Sequence, residues 1–180
     1  MERVSVHSAA GPDGIPGKMI KEIGETGAEY LAEVFQGNIE GKKYIPESWA
    51  EGRVTLIEKP NSKKGNLLTY RPLTISDLSY RIFARILNKK IQEWMRSKSI
   101  LGEMQHGYRE DMRGDDCLFI LTSAIEIARA ERKGLIATFL DCTKAYDKVC
   151  RKKLWKILER LGLHETVVEL YSYMRTIQCT

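Results

Sequence analysis

The segment FLDCTKAYDKV at 139–149 sets Asp141 directly behind an almost unbroken apolar run, LIATFL, and brings Lys144, Tyr146 and Asp147 in close behind it. A carboxylate carried to the end of a buried strand must be solvated there. A divalent cation does this while keeping the acid ionised, which makes Asp141 the candidate metal ligand. The plainer alternative is an aspartate that caps the turn leaving the strand. Asp147 reads as a helix cap or a partner for a nearby base, and Tyr146, taken alone, as an ordinary core aromatic.

The cations available to such a centre are concentrated in one stretch. Residues 1–41 carry three Lys or Arg against seven Asp or Glu, residues 42–96 carry twelve against five, and residues 97–180 carry fourteen against twelve. A positive field confined to the middle of the chain suits a polyanionic partner. Within it GRVTLIEKP (52–60) alternates as a strand until Pro60. NSKKGN has turn composition, and YRPLTI (70–75) supplies a returning strand. The expectation is a basic antiparallel hairpin.

Around these lie the elements that must position them. SAAGPDGIPG (8–17) is turn-rich and leads through Pro16 into a short helix ending at Gly24. Its glycines match neither a dinucleotide fingerprint nor a phosphate loop. Thr26 and Glu29 read as a capping box opening a second helix, with Tyr30, Leu31, Val34, Phe35 and Ile39 on one face. A short helix or loop leads through IPESW. The stripe of Leu78, Ile82, Phe83, Ile86, Leu87, Ile91, Trp94 and Met95 predicts a helix over 77–96. A further helix over 115–132, capped by Asp115 or Asp116, is broken by Gly134. LIATFLD (135–141) suits a central strand. Helices follow over 151–162, carrying Leu154, Leu158 and Leu161, and over 165–175.

Length and composition fit one globular domain or part of a larger one: 180 residues, 43% hydrophobic and 29% charged. The four cysteines and three histidines have no zinc-site or disulfide-framework spacing. No apolar stretch is long enough to span a bilayer, and the N-terminus lacks the apolar core of a signal peptide. The expectation is an intracellular protein without membrane partners. The chain stops at MRTIQCT without a breaking residue, which hints at truncation.

Five blocks in order resemble the reverse transcriptases of non-LTR (LINE-type) retrotransposons. GPDGIPG (11–17) resembles the family's GPDGI block, and IPESWAEGRVTLIEKP (45–60) its P..W....V.LI.KP block. YRPLTISDLSYRIFARILNKKI (70–91) is similar to YRPI.L.....KI.E.IL..R, QHGYRE (105–110) to Q.GFR, and FLDCTKAYDKV to F.DI..AFD.V, the first catalytic motif of the palm. The resemblance implies an α+β fold, the fingers and incomplete palm of a right-hand polymerase, with helices packed on a small antiparallel sheet. It assigns 1–134 to the fingers and first palm helices and 135–180 to the start of the palm.

It also implies roles. Asp141 would bridge two magnesium ions, the Cys142 backbone carbonyl would add an oxygen ligand, and Tyr146 would lie beneath the incoming sugar, where the family more often has Phe. Lys59 and Arg71 would cradle the triphosphate. Lys63 and Lys64 would touch the template backbone, and Gln105, Gly107 and Arg109 would lie under template and primer. The partners are then an RNA template, a DNA primer and a deoxynucleoside triphosphate, with nuclear action expected. GDD at 114–116 imitates a polymerase metal triplet, but it precedes Asp141 and opens a helix, so capping accounts for it. The later YADD-type motif is not among the 180 residues, so the two-metal site is only partly encoded and the fragment is expected to be inactive alone. The alternatives are a non-catalytic nucleic-acid-binding remnant, an intron maturase-type relative, or a plain helical interaction module.

Overall fold

In the computed structural model, residues 4–41, 45–58, 60, 65, 70–143, 145, 146, 148–174, 178 and 179 are described. Six helices and a small sheet make an α+β chain: α1 (Gly17–Glu22), α2 (Gly24–Ile39), a 3-10 turn (Glu47–Ala50), β1 (Glu51–Glu58), β2 (Tyr70–Ser76), α3 (Leu78–Ser97), α4 (Gly114–Ala130), α5 (Arg151–Arg160), α6 (Glu165–Tyr173) and β3 (Gln178–Cys179). The hairpin forms as its alternation predicts, β1 antiparallel to β2 with Val54 opposite Thr74 and Glu58 opposite Tyr70. β3 adds in parallel on the other edge of β1, an element the sequence did not announce.

The chain divides into two compact units. One comprises residues 1–90 and 150–180, the other 91–149. In the first, Phe35 of α2, Trp49, Phe83 and Leu87 of α3, Leu170 of α6 and Met174 form the main core. Phe83 is fully buried, with its ring 5.2 Å from Trp49 and 5.3 Å from Phe35. The Trp49 indole donates to Ser79 Oγ at 3.0 Å, and the Tyr80 hydroxyl donates to the Met174 carbonyl at 3.3 Å. Aromatic burial with its polar tips satisfied is what ties α2, α3 and α6 together. The main core is thus largely helical, and β1 and β2 contribute Gly52 and Ser76 as their buried residues.

Helix ends show where local chemistry decided. α2 opens at Gly24, with the Gly27 N–H donating to the Ile23 carbonyl at 3.3 Å, so Thr26 lies inside the first turn and the expected capping box does not form. α4 ends at Ala130 because Arg132 takes a left-handed φ of +52°, with the Lys133 N–H reaching back to Ala128 at 2.8 Å. The stop is in place before Gly134 is reached. α5 ends in the same motif on Gly162, φ +89°, with the Leu163 N–H donating to Leu158 at 2.9 Å. Leu163 is buried there.

Candidate active site

The hairpin places Arg71 at the second position of β2, opposite Ile57 and exposed. Lys59, Lys63 and Lys64 lie outside the described residues.

In the second unit, the 105–110 loop is braced by its own side chains. The Gln105 amide donates to the Gly107 carbonyl at 3.1 Å. The Arg109 guanidinium donates to the Gly102 carbonyl at 2.9 Å and more weakly to that of Gln105 at 3.5 Å. Arg96 pairs with Glu110 at 2.7 Å across an open cleft that Met95, Leu101 and Tyr108 also line. This bracing holds Tyr108 in a left-handed backbone, φ +60°, uncommon for a side chain of its size. The ring is 85% exposed.

From there Tyr108 meets Tyr146, hydroxyl to hydroxyl, across a separation of 38 residues. Two blocks quoted from the sequence are therefore brought together at their aromatics. The bond from Tyr108 pushes the Tyr146 phenol above its ordinary value, since a shared hydroxyl proton favours the neutral form and a neighbouring phenolate would repel a second. Both tyrosines are exposed, so the pair lies at the surface of this unit.

The run ahead of Asp141 departs from expectation. Residues 134–142 have no regular secondary structure and pair with no strand among the described residues. Ile136 and Leu140 are 94% and 92% exposed. An apolar run becomes a central strand only when neighbours on both edges take its N–H and C=O groups and layers cover both faces, and the second unit has no strand among its described residues. Asp141 and Cys142 are accordingly exposed rather than held at the end of a buried strand, so the burial that motivated Asp141 as a ligand is overturned.

No group of three or more His, Cys, Asp or Glu among the described residues is arranged to hold a metal. The Asp141 carboxylate and Cys142 carbonyl are hard oxygen donors of the kind magnesium takes, but two donors fall short of a two-cation centre. GDD at 114–116 opens α4, where the Arg113 N–H donates to Asp116 Oδ2 at 2.7 Å. Asp116 thus serves the helix start from its third position, not as the cap residue itself.

A cluster the sequence reading missed lies in the first unit. Asp77, buried just ahead of α3, accepts the Asp13 N–H at 3.1 Å, and burial raises its carboxyl above the usual range while that bond and one from Ser48 oppose the rise. Arg53 donates to the Ala10 carbonyl at 2.8 Å, and Arg81 to that of Ala9. Gly11 fits because an added Cβ would lie 2.6 Å from the Asp77 N and Cα. GPDG is thus a docking loop.

Residues 57–179 match the family model described as reverse transcriptase (RNA-dependent DNA polymerase). The chain is 25% identical over 169 residues to a probable RNA-directed DNA polymerase from transposon X-element of Drosophila melanogaster, covering 94% of this chain and 18% of that protein. It is 32% identical over 125 residues to a Pol polyprotein from the type-1 retrotransposable element R2 of Popillia japonica, covering 68% of this chain and 16% of that protein. It spans less than a fifth of the length of these curated relatives. No helix among the described residues is long and apolar enough to cross a membrane. With a match over more than half its length, and relatives of the kind the five blocks implied, the chain belongs to the reverse transcriptase family of non-LTR retrotransposons.

Proposed function

We propose that this chain is the fingers and first part of the palm of an RNA-directed DNA polymerase that extends a DNA primer on an RNA template from deoxynucleoside triphosphates. The observation that carries the reading is the family match over 57–179, which takes in the hairpin and the Asp141 motif together. The meeting of Tyr108 and Tyr146 supports it, since it joins two motif blocks at one exposed surface.

In this reading Arg71, with Lys59, takes the triphosphate: a guanidinium engages phosphate oxygens through a fork of donors, and an ammonium adds a compact charge. Tyr146 lies beneath the sugar. Gln105, Gly107 and Arg109 hold the loop that carries Tyr108, and Lys63 and Lys64 follow the template backbone. Asp141 and the Cys142 carbonyl would hold magnesium, which supplies charge stabilisation for nucleotidyl transfer when further carboxylates complete the site. Nuclear location is part of the same proposal.

The 180-residue chain by itself does not polymerise, because one exposed carboxylate cannot fix two cations. A magnesium-dependent primer extension on an RNA template tests this: no incorporation is expected from the chain alone, and incorporation would overturn it. Joined to the remaining segments of such a polymerase, the chain should support extension, and Asp141→Asn should abolish it. Activity that survives Asp141→Asn sinks the assignment of the catalytic residue.

A further inference from the structure

The helix α5 carries Arg151, Lys152, Lys153, Lys156 and Arg160 against a single acid, Glu159. At 3.6 residues per turn, Lys152, Lys156 and Arg160 form one row, and Lys153 stands beside it within an arc of about 100°. All four are exposed, and none has an ion pair among the described residues. Another side of the helix is partly covered: α5 packs on α6 through half-buried Trp155 and Leu158, with the Trp155 ring 5.5 Å from that of Tyr171, while Leu154, Ile157 and Leu161 stay exposed. Packing has fixed which face looks outward, and that face is cationic.

We propose that this outward face of α5 is a docking surface for the sugar-phosphate backbone of single-stranded RNA. Successive cations in the row lie about 6 Å apart along the helix axis, so the row follows roughly 12 Å of a strand. Lys supplies point charges, and Arg160 adds a fork that grips phosphate. There is no aromatic within the arc on which a base could stack, so the contact is to backbone and indifferent to sequence. An anionic lipid surface is the competing occupant, and the vesicle arm of the test separates it from RNA. The choice of RNA rests on the reverse transcriptase reading, whose template is the long unpaired polyanion such a protein must carry.

The test is fluorescence anisotropy of the whole 180-residue chain with a labelled oligouridylate over a series of salt concentrations. Lys152→Gln, Lys156→Gln and Arg160→Gln combined should weaken binding at low salt and flatten the slope of log affinity against log salt by about 2, as expected for three lost phosphate contacts on a single strand. A second triple of equal charge loss, Lys21→Gln, Lys98→Gln and Lys133→Gln, should leave the slope near that of the parent. Lys152→Arg with Lys156→Arg should bind as the parent does, and unchanged melting temperatures show that the helix persists. Equal slopes for the two triples overturn the proposal. So does binding that the α5 triple does not weaken, or a loss seen with anionic vesicles and not with RNA. The readout needs no polymerisation, so it stands or falls separately from the Asp141→Asn result.

Discussion

The hydroxyl of Tyr108 shares a hydrogen bond with that of Tyr146, which joins the blocks QHGYRE and FLDCTKAYDKV. The bond needs both hydroxyls. Tyr108→Phe should therefore return the Tyr146 phenol toward its ordinary value of about 10, read by ultraviolet difference titration against a Tyr146→Phe variant that identifies the signal. The sign follows from the raised value: the contact contributes fully below about pH 10 and is lost as pH rises through the higher folded value. A Tyr146 transition that does not move in Tyr108→Phe contradicts the pairing.

Asp77 should respond differently to two substitutions. Asp77→Ala strands the Asp13 N–H and empties the seat of Gly11, at a cost of about 1–3 kcal/mol. In Asp77→Asn the amide oxygen can still accept that N–H without burying a charge, so stability at neutral pH should equal or exceed the parent. Because the folded carboxyl is raised, the parent gains from protonation below about pH 4 and loses that gain as pH rises through the folded value. Urea unfolding at acid and neutral pH should show this dependence in the parent and its reduction in Asp77→Asn.

Asn38, almost wholly buried in α2, has neither its amide nitrogen nor its oxygen bonded among the described residues. Leu has the same branched skeleton of side-chain heavy atoms and no polar atom to desolvate. Asn38→Leu should raise stability by about 1–2 kcal/mol, seen as a higher denaturation midpoint at unchanged slope. A fall would mean that the amide has a polar role.

Ile136 and Phe139 decide between a buried strand and the open segment observed. Exposed as they are, Ile136→Ser with Phe139→Ser should change stability by no more than about 0.5 kcal/mol each and reduce self-association in sedimentation, since the run is an apolar patch. A loss of several kcal/mol would restore the buried strand.

What was legible in the sequence was what neighbours alone decide. The alternation of 52–58, the stripe from Leu78 to Met95 and the amphipathic pattern of 151–162 each rest on local geometry, and each formed. The run 135–141 failed because a central strand is a property of its partners, and no pattern within seven residues can report whether two further strands lie alongside. The docking of GPDG on Asp77 was invisible for a related reason, since it joins residues 64 apart. In the candidate site, Tyr146 was chosen by resemblance. Its bond to Tyr108 had no sequence signal beyond two tyrosines where phenylalanine is commoner.

The three ties that hold the N-terminal loop, Asp77 to Asp13, Arg53 to Ala10 and Arg81 to Ala9, close separations of 64, 43 and 72 residues. Contacts of such range cannot form until the intervening hairpin and the start of α3 are already in place, because the closure entropy is otherwise unrewarded. Residues 9–13 are therefore expected to be among the last of this unit to settle, behind the strands and the helix start that receive them.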